Sequence, residues 1–138
     1  MKKNFIYVIG LTILVGGFLY VSSLEKEVTS TSEKVIKHVT FDEGVQVIAG
    51  NPSMVILDVR TPEEYAQGHL AGAINVNVES GTFDEEISKL DKNTSYFVYC
   101  RSGRRSAVAV SRMKDLSFSS TYNLLGGIQS INPTSLVR

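Results

Sequence analysis

The stretch that decides the fold is SYFVYCRSGRRSAVAVSRMKDL, Ser95 to Leu116. Its first six residues, Ser95 to Cys100, are rich in aromatic and β-branched side chains and predict a strand. A short loop follows, with Gly103 allowing a tight turn. RRSAVAVSRMKDL then has the composition of a helix through Leu116. Cys100, the one cysteine of the chain, ends the strand and opens the loop. Arg101, Arg104 and Arg105 crowd the five residues after it.

Working outward, the punctuation is regular. VIKHVTF begins with a strand candidate. Thr40 and Glu43 have capping-box spacing, which predicts a helix from Phe41 towards Ala49, stopped by Gly50, Asn51 and Pro52. MVILDV, Met54 to Val59, is a continuous apolar run of the kind buried on both faces of a parallel sheet. Thr61, Pro62 and Glu64 give an N-cap, a first-turn proline and a second capping box, for a helix expected to end at Gly68. GAINV is a third strand candidate. Thr82 and Glu85 predict another helix, through Leu90. STYNLL is a final strand candidate, and Gly126-Gly127 turn the chain into a short last helix. Strands alternating with helices predict an α/β domain with a mostly parallel sheet. Sites in such sheets gather beyond the carboxyl ends of the strands, and Cys100 stands at such a place.

The 138 residues suit one domain plus an appendage. The appendage is the amino terminus. MKKNFIYVIGLTILVGGFLYVSS opens with Lys2 and Lys3 and continues as an uncharged, mostly apolar run to Val21. This is the pattern of an export signal or a membrane anchor over residues 1–23, with the domain beyond the membrane. Residues 24–34 read as a polar linker and 35–138 as the folded domain. The formal net charge is zero, so composition gives no pull towards nucleic acid. One cysteine forms no internal disulfide, and with only two histidines no metal site is expected.

A strand–loop–helix turn aims backbone N–H groups and the positive end of the helix dipole at the loop. With Arg101, Arg104 and Arg105 added, thiolate is favoured over thiol. A free cysteine titrates near ~8.5, and such surroundings bring it to roughly 3.5–7.5. The arginines and Ser102 also suit an anionic substrate. Two chemistries fit: phosphate ester hydrolysis through a cysteinyl phosphate, and transfer of sulfane sulfur through a persulfide. A cysteine-phosphatase loop would place its arginine at position 106, where Ser106 stands. The loop from Cys100 to Arg105 is one residue shorter, a cradle better matched to a sulfur atom than to phosphate.

Three segments together resemble the rhodanese family of single-domain thiosulfate sulfurtransferases. They are LDVRTPEEYAQGHLAGAINV (Leu57 to Val76), YCRSGRRS (Tyr99 to Ser106) and YNLLGGI (Tyr122 to Ile128). The resemblance implies a three-layer α/β fold around a five-stranded, mostly parallel sheet. It implies that Cys100 takes sulfur from thiosulfate or a related donor and passes it to cyanide or a thiol. Arg101, Ser102, Gly103, Arg104 and Arg105 would form the substrate loop. No metal or organic cofactor is implied. Asp58 and Arg60 match the family's Asp-x-Arg. Asp58 is expected to orient an arginine or a loop N–H, or else the two belong to fold-stabilising pairs, such as Arg60 with Glu64. His69 is expected to be structural. Many members carry a tryptophan shortly after the Gly-Gly; here Ile131 occupies that region. A redox-sensing or binding module with the same fold is the alternative from another class. A small phosphatase or arsenate reductase is disfavoured by the loop length.

Overall fold

The computed structural model of the chain describes residues 34–132 and the backbone of 136–137. The expected signal or anchor and the linker before Lys34 lie outside these residues. Among the described residues no helix is long and apolar enough to cross a membrane.

The elements run β1 (Val35–Val39), α1 (Phe41–Ala49), β2 (Val55–Asp58), α2 (Pro62–Ala66), β3 (His69–Leu70), β4 (Ile74–Asn75), α3 (Phe83–Ser88), β5 (Ser95–Tyr99), α4 (Arg104–Asp115) and β6 (Ser120–Leu124), then a 3-10 turn (Gly127–Ser130) and β7 (Leu136–Val137). Five strands form one sheet in the order β1-β6-β5-β2-β4, and every pairing in it is parallel. This is the α/β architecture expected. β3 and β7 add a small antiparallel pair, which the sequence reading did not anticipate.

β5 lies in the middle of the sheet and sorts its side chains to two faces, as a strand must. Tyr96, Val98 and Cys100 face a core shared with Ala109, Val110 and Met113 of α4 and Phe83 and Ile87 of α3. Phe97 and Tyr99 face the other core, with Val39, Ala73, Leu124 and Ile131. The sheet is therefore covered on both sides, which explains why MVILDV and SYFVYC lack polar alternation. Ile131, at the place of the absent tryptophan, is buried and closes the second core.

Both expected capping boxes form. Thr40 with Glu43, and Thr61 with Glu64, each satisfy both orphan N–H groups at a helix start. α2 stops at Ala66, short of Gly68. The helix expected from Thr82 and Glu85 through Leu90 forms as α3, with Thr82 at its N-cap, and ends at Ser88. Thr82 makes no side-chain cap; its hydroxyl donates to Glu86 Oε1 at 2.5 Å, one residue beyond Glu85. Glu85 pairs with Lys89 instead.

Candidate active site

Cys100 sits just beyond the carboxyl end of β5, and α4 begins four residues later. Gly103 is the N-cap of α4, at φ 93°, a left-handed conformation that disfavours any side chain. That turn brings the Gly103 N–H to 3.1 Å from Cys100 Sγ. The Ser106 hydroxyl, on the first turn of α4, stands 3.4 Å from the same sulfur. Burial on its own pushes the thiol up. It is outweighed by the Ser106 hydroxyl and by backbone N–H groups of Ser106, Ser102 and Gly103, which hold the thiol below its ordinary value. This is the loop-and-helix-terminus device for stabilising an anion.

The expected contribution of the arginines is corrected. The leading influences on the Cys100 thiol are burial, the Ser106 hydroxyl and backbone N–H groups, with no guanidinium among them. Arg105 turns away from the sulfur. Its Nη2 donates to Glu64 Oε1 at 2.7 Å and its Nη1 to Glu64 Oε2 and Glu79 Oε2, both at 2.8 Å. It is a strut from α4 to α2 and to the loop before α3. The Arg105 hydrogen bonds in turn hold the Glu64 carboxyl down at about 2. Arg101 and Arg104 are exposed, and their side chains have no partner among the described residues. They stand at the rim of the loop. The Ser102 side chain is exposed as well; its contribution to the sulfur is its N–H.

Cys100 itself is 1% exposed. The sulfur lies at the floor of the loop, not on its rim, so an accessible thiol in the ordinary sense is not what the fold presents.

The backbone under the loop is gripped from below. Ile128 N–H donates to Cys100 O at 2.8 Å and Gln129 N–H to Arg101 O at 3.1 Å. Gly127 makes this possible: a methyl group there would stand 2.5 Å from Cys100 O and 2.6 Å from Arg101 O. The YNLLGGI segment is thus the clamp of the cysteine loop.

Asp58 and Arg60 do not contact Cys100. They form a buried forked pair, Arg60 Nε to Asp58 Oδ1 at 2.9 Å and Nη2 to Oδ2 at 2.5 Å. Arg60 Nη2 also donates to Gly68 O at 2.8 Å, which ties the end of α2 to the tip of β2. Asp58 therefore orients an arginine, and its Oδ1 also accepts the Arg60 N–H at 2.9 Å, in the turn after β2. The expected alternative of an Arg60–Glu64 pair does not form, because Asp58 takes Arg60 and Arg105 takes Glu64. His69 stacks on Tyr65 at 3.7 Å and its Nδ1 lies 3.0 Å from Tyr65 O, away from the sulfur. Ser106 is the functional residue that sequence reasoning missed. In the sequence it stands out only as the position where a phosphatase loop would carry its arginine. Its helix position, six residues after the cysteine and on the buried face, was the available signal.

A family description, "Rhodanese-like domain", matches residues 42–133, which include the cysteine loop, the Asp-x-Arg and the Gly-Gly clamp. The chain belongs to the rhodanese-like family. A rhodanese-like domain protein from Staphylococcus aureus superposes with a TM-score of 0.65 at 28% identity, covering 73% of this chain and 96% of that one. The "Thiosulfate sulfurtransferase PspE" of Escherichia coli is 35% identical over 75 residues, 54% of this chain and 71% of that protein. The "Putative sulfur carrier protein YrkF" of Bacillus subtilis is 29% identical over 103 residues. That match takes in 75% of this chain but 55% of the longer relative. Rhodanese-type sulfur transfer is thus the activity at the level of the family.

Proposed function

We propose that this rhodanese-like chain is a sulfurtransferase that carries sulfane sulfur on Cys100 as a persulfide. Thiosulfate or a related small anion is the donor, and cyanide or a thiol is the acceptor. The observation that carries the reading is the sulfur's hydrogen bonding: 3.1 Å from the Gly103 N–H and 3.4 Å from the Ser106 hydroxyl, at the mouth of α4. These donors favour the thiolate over the thiol, and neither histidine hydrogen-bonds the sulfur among the described residues. The Cys100 thiolate attacks the outer sulfur of thiosulfate. Its electron pair forms the new S–S bond, the old S–S bond breaks, and sulfite leaves with the bonding pair. The persulfide anion that results sits among the loop N–H groups. Arg101 and Arg104, unpaired at the rim, steer the donor dianion towards the loop.

The burial of Cys100, 1% exposed, argues against a redox module that forms mixed disulfides with other proteins. The basic-then-apolar amino terminus supports a domain working outside the cytoplasm, and sequencing the mature amino terminus tests that. The sulfur-transfer reading is tested by weighing the intact full chain after incubation with thiosulfate. The wild type gains one sulfur atom and Cys100→Ser gains none. An unchanged wild-type mass overturns the reading.

A further inference from the structure

Beside the cysteine loop lies a cleft of about 330 Å³, walled by Arg101 of the loop, Gln67 at the end of α2 and Gln129 of the 3-10 turn, with Arg60 and Glu64 at its base. Its volume is at the lower end for small-molecule sites. The charges at its base are compensated: Asp58 holds Arg60, and Arg105 holds Glu64. What remains unspent is a set of donors. Arg60 is 6% exposed and uses its Nε and Nη2 on Asp58 and Gly68, while its Nη1 has no partner among the described residues. The Arg101 guanidinium and the side-chain amides of Gln67 and Gln129 have none either. Among the described residues, the one uncompensated charge in the cleft is the positive charge of Arg101.

A donor such as thiosulfate carries its negative oxygens one bond from the sulfur it gives up, so its charge must sit in the loop itself. An acceptor thiol carries any charge several bonds from its sulfur. It needs a second place, next to the loop, that offers forked donors. We propose that this cleft is the acceptor subsite and that it selects a low-molecular-weight thiol bearing a carboxylate, held by Arg60 and Arg101. The inference rests on the sulfur-transfer reading of Cys100. In the step it assigns, the acceptor thiolate's electron pair makes a bond to the outer sulfur of the persulfide. The bond from that sulfur to Cys100 Sγ breaks with its pair going to Sγ. The proton lost by the acceptor thiol ends on the new small persulfide, so nothing is oxidised or reduced in sum.

The test uses the full chain, loaded with thiosulfate and freed of excess donor. Loss of the extra sulfur is followed by intact mass with two acceptors of one shape, 3-mercaptopropionate and the neutral 3-mercaptopropionamide, compared per thiolate. The anionic acceptor is expected to react about 10-fold faster or more, the equivalent of one charge-assisted contact. Gln67→Glu and Gln129→Glu, which put a negative charge in the cleft and leave the Gln129 N–H bond to Arg101 O in place, are expected to abolish that preference. Equal rates in the wild type, or a preference undiminished in both variants, overturn the subsite. A second measurement stands apart from turnover. Propionate is titrated into the unloaded chain while the side-chain N–H signals of Gln67, Gln129 and Arg60 are followed by NMR. Saturable shifts at these groups support the subsite even if loading fails, which would strike only the donor chemistry; their absence overturns it.

Discussion

A hydroxyl has one proton to give, and that of Ser106 has two acceptors in reach: Cys100 Sγ at 3.4 Å and Gly103 O at 3.1 Å. An ionised sulfur is the stronger acceptor, because hydrogen bonds to charged groups contribute roughly 1.5–3 kcal/mol against about 1 for neutral ones. The hydroxyl therefore favours the thiolate and loses little when the sulfur is protonated. Ser106→Ala removes this contribution and raises the Cys100 thiol. Persulfide loading, read as sulfite release, is expected to slow at pH 6–7 and to recover towards the wild-type rate at alkaline pH, where the thiolate returns. An equal loss at all pH values would mean a structural role only. The sequence made the wrong neighbours conspicuous here. Three arginines beside a cysteine suggest charge, yet a side chain's target depends on helix phase. Residue 105 points across to Glu64 and Glu79, while residue 106 points back to the sulfur.

Between elements, the loop is held by two devices of different kinds. The Gly-Gly clamp acts through backbone. Gly127→Ala sets a methyl group 2.5 Å from Cys100 O at φ 57°, and the contact is with main chain, which has no flexible end to yield. The left-handed conformation costs about 1–2 kcal/mol with a side chain, before the collision is relieved. We expect a folded but destabilised protein, by ~2–4 kcal/mol in denaturant titration, with persulfide loading lost because the loop is displaced. The Glu64–Arg105 strut acts through charge. Glu64 is held at about 2 against an ordinary 4.5, so its contribution is full above about 4.5 and disappears as pH falls towards 2. Glu64→Gln is expected to cost ~1–2 kcal/mol at pH 7, discounted because the pair is partly solvated. The difference from wild type should vanish near pH 2, read by urea titration at both pH values. The two capping boxes were legible because Thr40 and Thr61 have extended backbone, at ψ 170° and 158°. Thr82 has ψ 1°, which turns its hydroxyl towards Glu86; nothing in the spacing reveals that. The β3–β7 pair was illegible for another reason. Strands of two residues carry no periodicity, and their pairing joins distant parts of the chain.

For the molecule as a whole, strand and helix alternation was legible because both cores leave apolar runs on β2 and β5 and amphipathic faces on α1 and α4. The order β1-β6-β5-β2-β4 follows from no local pattern, and only the resemblance supplied the five-stranded sheet. Burial of the sulfur was invisible for the same reason, since it arises where β5, α4 and the clamp after β6 close on one point. That convergence is the central claim: the folded molecule, through N–H groups and one hydroxyl, holds the Cys100 thiol below its ordinary value at the floor of a narrow loop. The most direct measurement is the ultraviolet absorbance of the thiolate as a function of pH, taken on the full chain with Cys100→Ser as the blank. The account predicts a titration midpoint below the ~8.5 of a free cysteine, unmoved when Arg101 and Arg104 are both changed to Gln. A midpoint at or above ~8.5, or one that rises to that value when the two arginines are removed, would contradict it.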